Sequence, residues 1–182
     1  MRVFAALELP GADRERLAAW GVEAARRDPA LRAVDAEALH VTLHFLGERP
    51  DGELAGLCAA IAGAPEAGVP LVGTGALWLS PGRPHVLTCG LESPGVALAA
   101  LHEALGSGLR AATEGWEPER RALRPHVTVA RVRRGARPRT DRPPAAPQVR
   151  MAACAVILQR SLLGPGGARY ETLERRPLRS GA

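Results

Sequence analysis

Residues 39–43 read LHVTL and residues 125–129 read PHVTV, so a His-x-Thr pattern in an apolar setting occurs twice. The two histidines, His40 and His126, stand 86 residues apart, close to half of the 182-residue chain. Because side chains alternate between the faces of a strand, the histidine and threonine of each copy share one face. The repeat therefore predicts two strands that each present one imidazole and one hydroxyl, with apolar residues turned into a core.

Two such strands on opposite sides of a cleft predict acid–base chemistry. Histidine titrates near pH 6.5, so at neutral pH one ring can accept a proton from water while the other, protonated, donates one to a leaving oxygen. Two threonine hydroxyls and a nearby arginine would hold the non-bridging oxygens of a phosphodiester. We therefore predict His40 and His126 as catalytic residues and Thr42 and Thr128 as phosphate ligands.

Neither a metal nor a cofactor is predicted. Two histidines leave a catalytic zinc without its third protein ligand, no zinc-binding motif occurs, and the residues on the same face are threonines. The three cysteines, Cys58, Cys89 and Cys154, lack zinc-site spacing and are odd in number. We expect them to be small buried hydrophobic residues.

Composition limits the class of protein without naming a partner. The net charge is +5 and the isoelectric point about 10.3, and all 24 basic residues are arginines, a bias that GC-rich codons also produce. Arginine suits phosphate, so a phosphorylated ligand is permitted. The 46% hydrophobic content supports a core. No apolar run approaches the roughly 20 residues of a membrane span, and residues 1–8 do not resemble a signal peptide, so a cytoplasmic location is expected.

Hydrophobic periodicity predicts a mixed β-α-β-α-β-β-α-β-β-β order. The predicted helices start at Asp13, at Asp51 and near Gly95, and the predicted strands cover residues 2–9, 39–46, 69–79, 85–91, 125–131, 149–159 and 168–173. Strand pairs joined by turns favour an α+β fold with antiparallel sheet over a doubly wound parallel sheet. No glycine-rich phosphate-binding loop occurs.

The chain resembles the 2H phosphoesterase superfamily, and within it the RNA 2′,3′-cyclic phosphodiesterases, also called 2′-5′ RNA ligases. The resemblance runs nearly from end to end. It rests on RVFAALELP at 2–10, LHVTLHFLG at 39–47, RPHVTVAR at 124–131, and the closing turn and strand at 161–171.

The resemblance implies a single bilobal domain over residues 1–182, in which two pseudo-symmetric antiparallel sheets with helices outside flank a central cleft carrying both motifs. It implies metal-independent hydrolysis of a ribose 2′,3′-cyclic phosphate, on RNA termini or nucleotides, to a 2′-phosphomonoester. His40 would donate a proton to the leaving 3′ oxygen and His126 would activate water. A 5′-hydroxyl in place of water would give 2′-5′ ligation. A monomer with no membrane association is expected.

Two alternatives stay open. One is an enzyme of the same fold that acts on another substrate, such as ADP-ribose cyclic phosphate or a 2′-5′ oligonucleotide. The other is a nucleotide- or RNA-binding module without turnover. Two titratable groups in matching motifs argue against a pure binder.

The direction in which several side chains point depends on how regular the motif strands are. Arg131 follows His126 by five residues, so strict alternation sends it away from the cleft, whereas the resemblance places it at the phosphate. Both hold only if the strand bulges or ends first. Phe45 has the matching place in the first copy, where a packed core residue is favoured over a base-stacking one. His44 would share a face with His40 on a regular strand. Two interpretations of the arginine-rich loop at 131–142 are equally favoured: its charge attracts RNA, or the loop is simply solvated.

Overall fold

The computed structural model describes residues 1–80, 82–141, 143–164 and 167–179, and within them nine strands form one antiparallel sheet. The strands are β1 Arg2–Glu8, β2 Leu31–Ala33, β3 His40–Glu48, β4 Pro70–Leu79, β5 Val86–Glu92, β6 His126–Val132, β7 Arg150–Ala152, β8 Ala155–Gly164 and β9 Gly167–Pro177. The helices are α1 Gly11–Arg27, α2 Leu54–Ala62 and α3 Ala97–Ala111, with 3₁₀ turns at Ala36–Ala38 and Asp51–Glu53.

The sheet consists of two four-stranded halves. The strand order is β7-β4-β5-β6-β3-β1-β8-β9, and the short β2 pairs with β6. The halves β7-β4-β5-β6 and β3-β1-β8-β9 meet where β3 pairs with β6 through Val41 and Val127. The predicted antiparallel α+β fold is therefore confirmed, and the two predicted sheets are the halves of one sheet, joined by a bridge at the centre of the two motifs.

The helices pack on the face of the sheet that carries the apolar motif residues. Val41, Leu43, Val127 and Val129 are buried in one cluster with the helical residues Leu17, Leu57, Leu101, Leu105 and Leu109. α1 packs against β2 and β6, and α2 contacts α3, β8 and β9. The opposite face of the two central strands is left for the cleft.

Some predicted boundaries are wrong. α1 begins at Gly11 after Pro10, and Asp13 lies in its first turn without capping it. Asp51 opens a 3₁₀ turn rather than capping α2, which begins at Leu54. The third helix starts at Ala97, after Gly95 with a φ of +77°.

The predicted strand at 149–159 is two strands, because the chain crosses between the halves of the sheet there. β7 pairs with β4 in one half and β8 pairs with β1 in the other. Between them, the amide of Ala153 donates to Val69 and that of Cys154 to Glu8. The short strand β2 was not predicted, and β9 is longer than predicted because it pairs with the full length of β8. Pro81 lies between the predicted strands 69–79 and 85–91, where the sequence predicts a turn, and Pro165 and Gly166 lie in the predicted turn before the strand at 168–173. These three residues are outside the described part of the chain.

None of the described helices is long and apolar enough to cross a membrane.

Candidate active site

A local two-fold relation places the two motifs on either side of the central bridge. In an antiparallel pair with Val41 opposite Val127, the positions of His40 and Thr42 map onto those of His126 and Thr128. The two histidines then sit as diagonal neighbours, for which the usual separation is about 7–8 Å. Both histidines line the same cleft.

Both imidazoles are oriented in the same way by the backbone two residues earlier. The Nδ1 atom of His40 lies 2.8 Å from the carbonyl oxygen of Ala38, and that of His126 lies 2.8 Å from the carbonyl oxygen of Arg124. A carbonyl oxygen only accepts, so in each ring Nδ1 carries the proton that is donated. The Nε2 atom of each ring is therefore the one available for proton transfer.

Each motif strand contains a bulge just after its threonine. Along β1, Ala5 pairs with His44 and Ala6 with Thr42, so Leu43 is the extra residue in β3. Along β5, Leu87 pairs with Ala130 and Thr88 with Thr128, which makes Val129 the extra residue in β6. A bulge resets the alternation of side chains between faces.

The bulges decide where the next residues point. Arg131, five residues after His126, lines the cleft. The bulge at Val129 turns it there, as the sequence analysis required of a strand that places Arg131 at the phosphate. Phe45 lines the cleft in the matching position and is 64% exposed, so its prediction as a core residue is wrong. His44 turns to the helix face instead, where it is 4% exposed and its ring stacks on His102 at 4.1 Å.

The cleft between the two halves has a volume of about 640 Å³ and brings all five predicted site residues together. His40, Thr42, His126, Thr128 and Arg131 all line it. It has the size of a small-ligand site. The lining residues on other strands were not predicted from the sequence, and they include Arg2, Phe4, Arg32 and Tyr170. No motif spacing could have indicated them, because only strand pairing brings them to the cleft.

The surroundings of His40 disfavour its protonated form. Burial lowers the pKa of His40 to about 4, the hydrogen bond with Ala38 opposes this shift, and the positive charges of Arg131 and His126 add to the lowering. In the empty cleft His40 is therefore neutral at pH 7. A bound phosphate anion would act in the opposite direction and favour the imidazolium.

The arginine-rich loop is held away from the cleft. The backbone amide of Arg139 donates to Asp28, the indole Nε1 of Trp20 donates to the carbonyl of Pro144, and the amide of Arg133 donates to Ala30. Arg131 lines the cleft, but none of the other described arginines in this loop does. Arg142 lies outside the described residues.

No cluster of three or more histidine, cysteine or acidic residues that could hold a metal ion occurs in the part of the chain that the structure describes. The three cysteines are free. Cys89 is buried as predicted, whereas Cys58 and Cys154 are only half-buried.

The match to the 2′-5′ RNA ligase superfamily places the chain among the 2H phosphoesterases, and solved structures share its two-halved antiparallel sheet. One is a crystal structure of a Thermus thermophilus protein, with a TM-score of 0.81, 30% identity and full coverage of both chains. Another is E. coli LigT complexed with 3′-AMP, with a TM-score of 0.74, 26% identity and 97% coverage of each chain.

The family follows from the sequence match. The model of the 2′-5′ RNA ligase superfamily matches residues 13–154, and the chain belongs to that family. The chain is also similar to the RNA 2′,3′-cyclic phosphodiesterase of Thermus thermophilus, at 33% identity over 98% of this chain and 91% of that protein.

Proposed function

We propose that this chain hydrolyses ribose 2′,3′-cyclic phosphates, on RNA ends or on nucleotides, to 2′-phosphomonoesters. The observation that carries this proposal is the symmetric placement of two imidazoles, each with Nδ1 held by a carbonyl, beside two threonines in one cleft. The family and the name of the similar Thermus thermophilus protein support the same substrate. Both halves of the sheet line the cleft, which supports residues 1–182 acting as one domain.

The reaction needs one proton taken and one proton given. Nε2 of His126 accepts a proton from water as the water oxygen bonds to phosphorus. The bond between phosphorus and the 3′ oxygen breaks, and Nε2 of His40, protonated in the complex, donates its proton to that oxygen. The products are a 2′-phosphomonoester and a free 3′-hydroxyl. Thr42, Thr128 and Arg131 donate hydrogen bonds to the phosphate oxygens as charge builds on them.

The exposed ring of Phe45 supplies a surface for a nucleobase. Stacking on an aromatic ring tolerates any base, so it suits a site that accepts different RNA ends. An RNA 5′-hydroxyl in place of water would form a 2′-5′ phosphodiester by the same steps, which is the ligation activity of the proposal.

The deciding experiment follows 2′,3′-cyclic AMP by phosphorus NMR in excess EDTA. We expect a 2′-monoester as product, with no loss of rate on adding the chelator. His40→Gln and His126→Gln should each lower the rate by about 10²-fold or more. His85→Gln, an exposed histidine outside the cleft, is the matched control and should keep wild-type activity.

The same assay separates the alternatives. A rate that is higher on ADP-ribose cyclic phosphate or on a 2′-5′ oligonucleotide would assign another substrate to the same cleft. Nucleotide binding without turnover on any of these substrates would make the protein a binding module. An active single histidine variant would remove that residue from the mechanism.

A further inference from the structure

The local two-fold relation holds for the motifs but fails for the residues around them. Phe4 pairs with Phe45 in the first half of the sheet, and the matching pair in the second half is Val86 with Arg131. All four residues line the cleft. One wall of the cleft is therefore aromatic where the other is aliphatic and cationic.

His40 lies inside the aromatic part. Its ring centroid is 4.8 Å from that of Phe4 and 5.3 Å from that of Tyr170, which meets it edge-on at 86°. The ring centroids of Phe4 and Tyr170 are 5.1 Å apart, in an edge-on contact. With the hydrogen bond from Nδ1 to Ala38, these rings fix the imidazole on three sides. No aromatic ring contact to His126 occurs among the described residues.

The aromatic pair belongs to a small apolar cluster separate from the main core. Phe4 is 4% exposed and packs with Ala6, Ala155 and Ile157 from β1 and β8, and Tyr170 of β9 packs against them. The cluster lies on the cleft side of the sheet, since Phe4 and Tyr170 both line the cleft. These rings cover part of the half-buried imidazole.

We propose that Phe4 and Tyr170 are positioning residues for His40, which hold its ring and exclude water from it, and so give the two histidines different roles in the acid–base pair. This inference rests on the proposed function. His126 has no such rings around it among the described residues, so a water molecule can approach its Nε2 atom from the cleft. His40 becomes an acid when the phosphate anion enters and its negative charge compensates the imidazolium.

Several charged groups surround His40, and Arg2, Arg32 and Asp35 line the same cleft. Arg131 and His126 face it from β6. Glu8 is paired with His40 across β1 and β3, but its carboxylate is bound by the guanidinium of Arg175 at 2.6 Å. Burial is the largest cause of the lowered pKa of His40, ahead of both positive charges.

The test compares Tyr170→Leu, which removes the ring, with Tyr170→Phe, which keeps it. The first readout is the imidazole NMR titration of His40 in the free protein, assigned with His40→Gln. In Tyr170→Leu we expect the midpoint to rise by about one pH unit because water reaches the ring, while Tyr170→Phe should titrate as the wild type does. Phe4→Leu should behave as Tyr170→Leu does, and Val22→Ala on the exposed side of α1 is a control for both.

The second readout separates positioning from substrate binding. Tyr170→Leu should lower kcat about ten-fold, a part of the 10²–10⁴ that an acid–base group supplies, with KM nearly unchanged, and Tyr170→Phe should restore it. An unchanged His40 titration in Tyr170→Leu, or a rise in KM with kcat intact, would overturn the inference. A wild-type protein inactive on every cyclic phosphate would contradict the proposed function, while the titration would still test the packing.

Discussion

At the scale of single residues, Phe45 in β3 and Arg131 in β6 occupy matching positions of the local two-fold but offer different chemistry to the cleft. Both follow their histidine by five residues and both reach the cleft through a bulge. One offers a ring face and the other a guanidinium. Under the proposed function, the base of the substrate would lie toward Phe45 and its phosphate toward Arg131.

Phe45→Ala should weaken substrate binding. Stacking of one base is worth about 1–3 kcal/mol, so we expect KM for 2′,3′-cyclic AMP to rise on the order of ten-fold or more while kcat changes little. Phe45→Tyr keeps a ring and should keep the wild-type KM. Steady-state kinetics with the three proteins measures this, and an unchanged KM in Phe45→Ala would exclude Phe45 from base binding.

Arg131→Gln should change two quantities, the affinity for phosphate and the pKa of His40. Loss of a charge-assisted hydrogen bond, about 1.5–3 kcal/mol, should weaken inorganic phosphate binding at least ten-fold in calorimetry. In the free protein the pKa of His40 should rise, because the positive charge of Arg131 contributes to lowering it. Arg134→Gln, an exposed arginine that does not line the cleft, should change neither quantity. Phosphate binding that survives in Arg131→Gln would contradict this role.

At the scale of elements, α1 supports the bulge in β6 by a close backbone approach. A Cβ added at Gly21 would lie 2.4 Å from the carbonyl oxygen of Val129, the bulged residue. That oxygen also accepts a hydrogen bond from the amide of Val34. The helix, the segment after β2 and the bulge that directs Arg131 are thus packed as one unit.

Gly21→Ala should therefore destabilise the protein by about 1–3 kcal/mol, the usual cost of overpacking. It should also lower activity, because the bulge must shift to make room. Urea denaturation and the cyclic phosphodiesterase assay measure the two effects. Gly11→Ala is the control, since no atom lies within 4 Å of a Cβ added there. Equal stability of the two variants would show that α1 moves freely on β6.

At the scale of the whole molecule, the free energy of unfolding should depend on pH because the fold disfavours protonation of histidines on both faces of β3. Burial lowers the pKa of His40 in the cleft, and it also lowers those of His44 and His102, which stack between β3 and α3. These groups bind more protons when unfolded than when folded, so the free energy of unfolding should fall as pH drops from about 6.5 towards 4.

For His40 alone the loss should approach about 3 kcal/mol at pH 4. The measurement is urea denaturation between pH 7 and pH 4.5. His40→Gln should show a smaller decrease than the wild type, and His85→Gln the same decrease as the wild type. A decrease that is identical in all three proteins would mean that His40 is not held neutral by the fold.

The order of residues alone predicts the antiparallel α+β class, the two central strands and the apolar faces beneath them, because alternation and helical periodicity are local signals. It also determined that His40, Thr42, His126 and Thr128 form two matching pairs, since the same pattern repeats near the midpoint of the chain. The rest of the cleft depends on how the strands pair in three dimensions. A bulge is defined by the partner strand, so the turn of Phe45 and Arg131 into the cleft, and of His44 away from it, could not be read from alternation. The contacts of Phe4 and Tyr170 with His40 arise from strands far apart in sequence, and the burial that keeps this imidazole neutral exists only once those strands have paired.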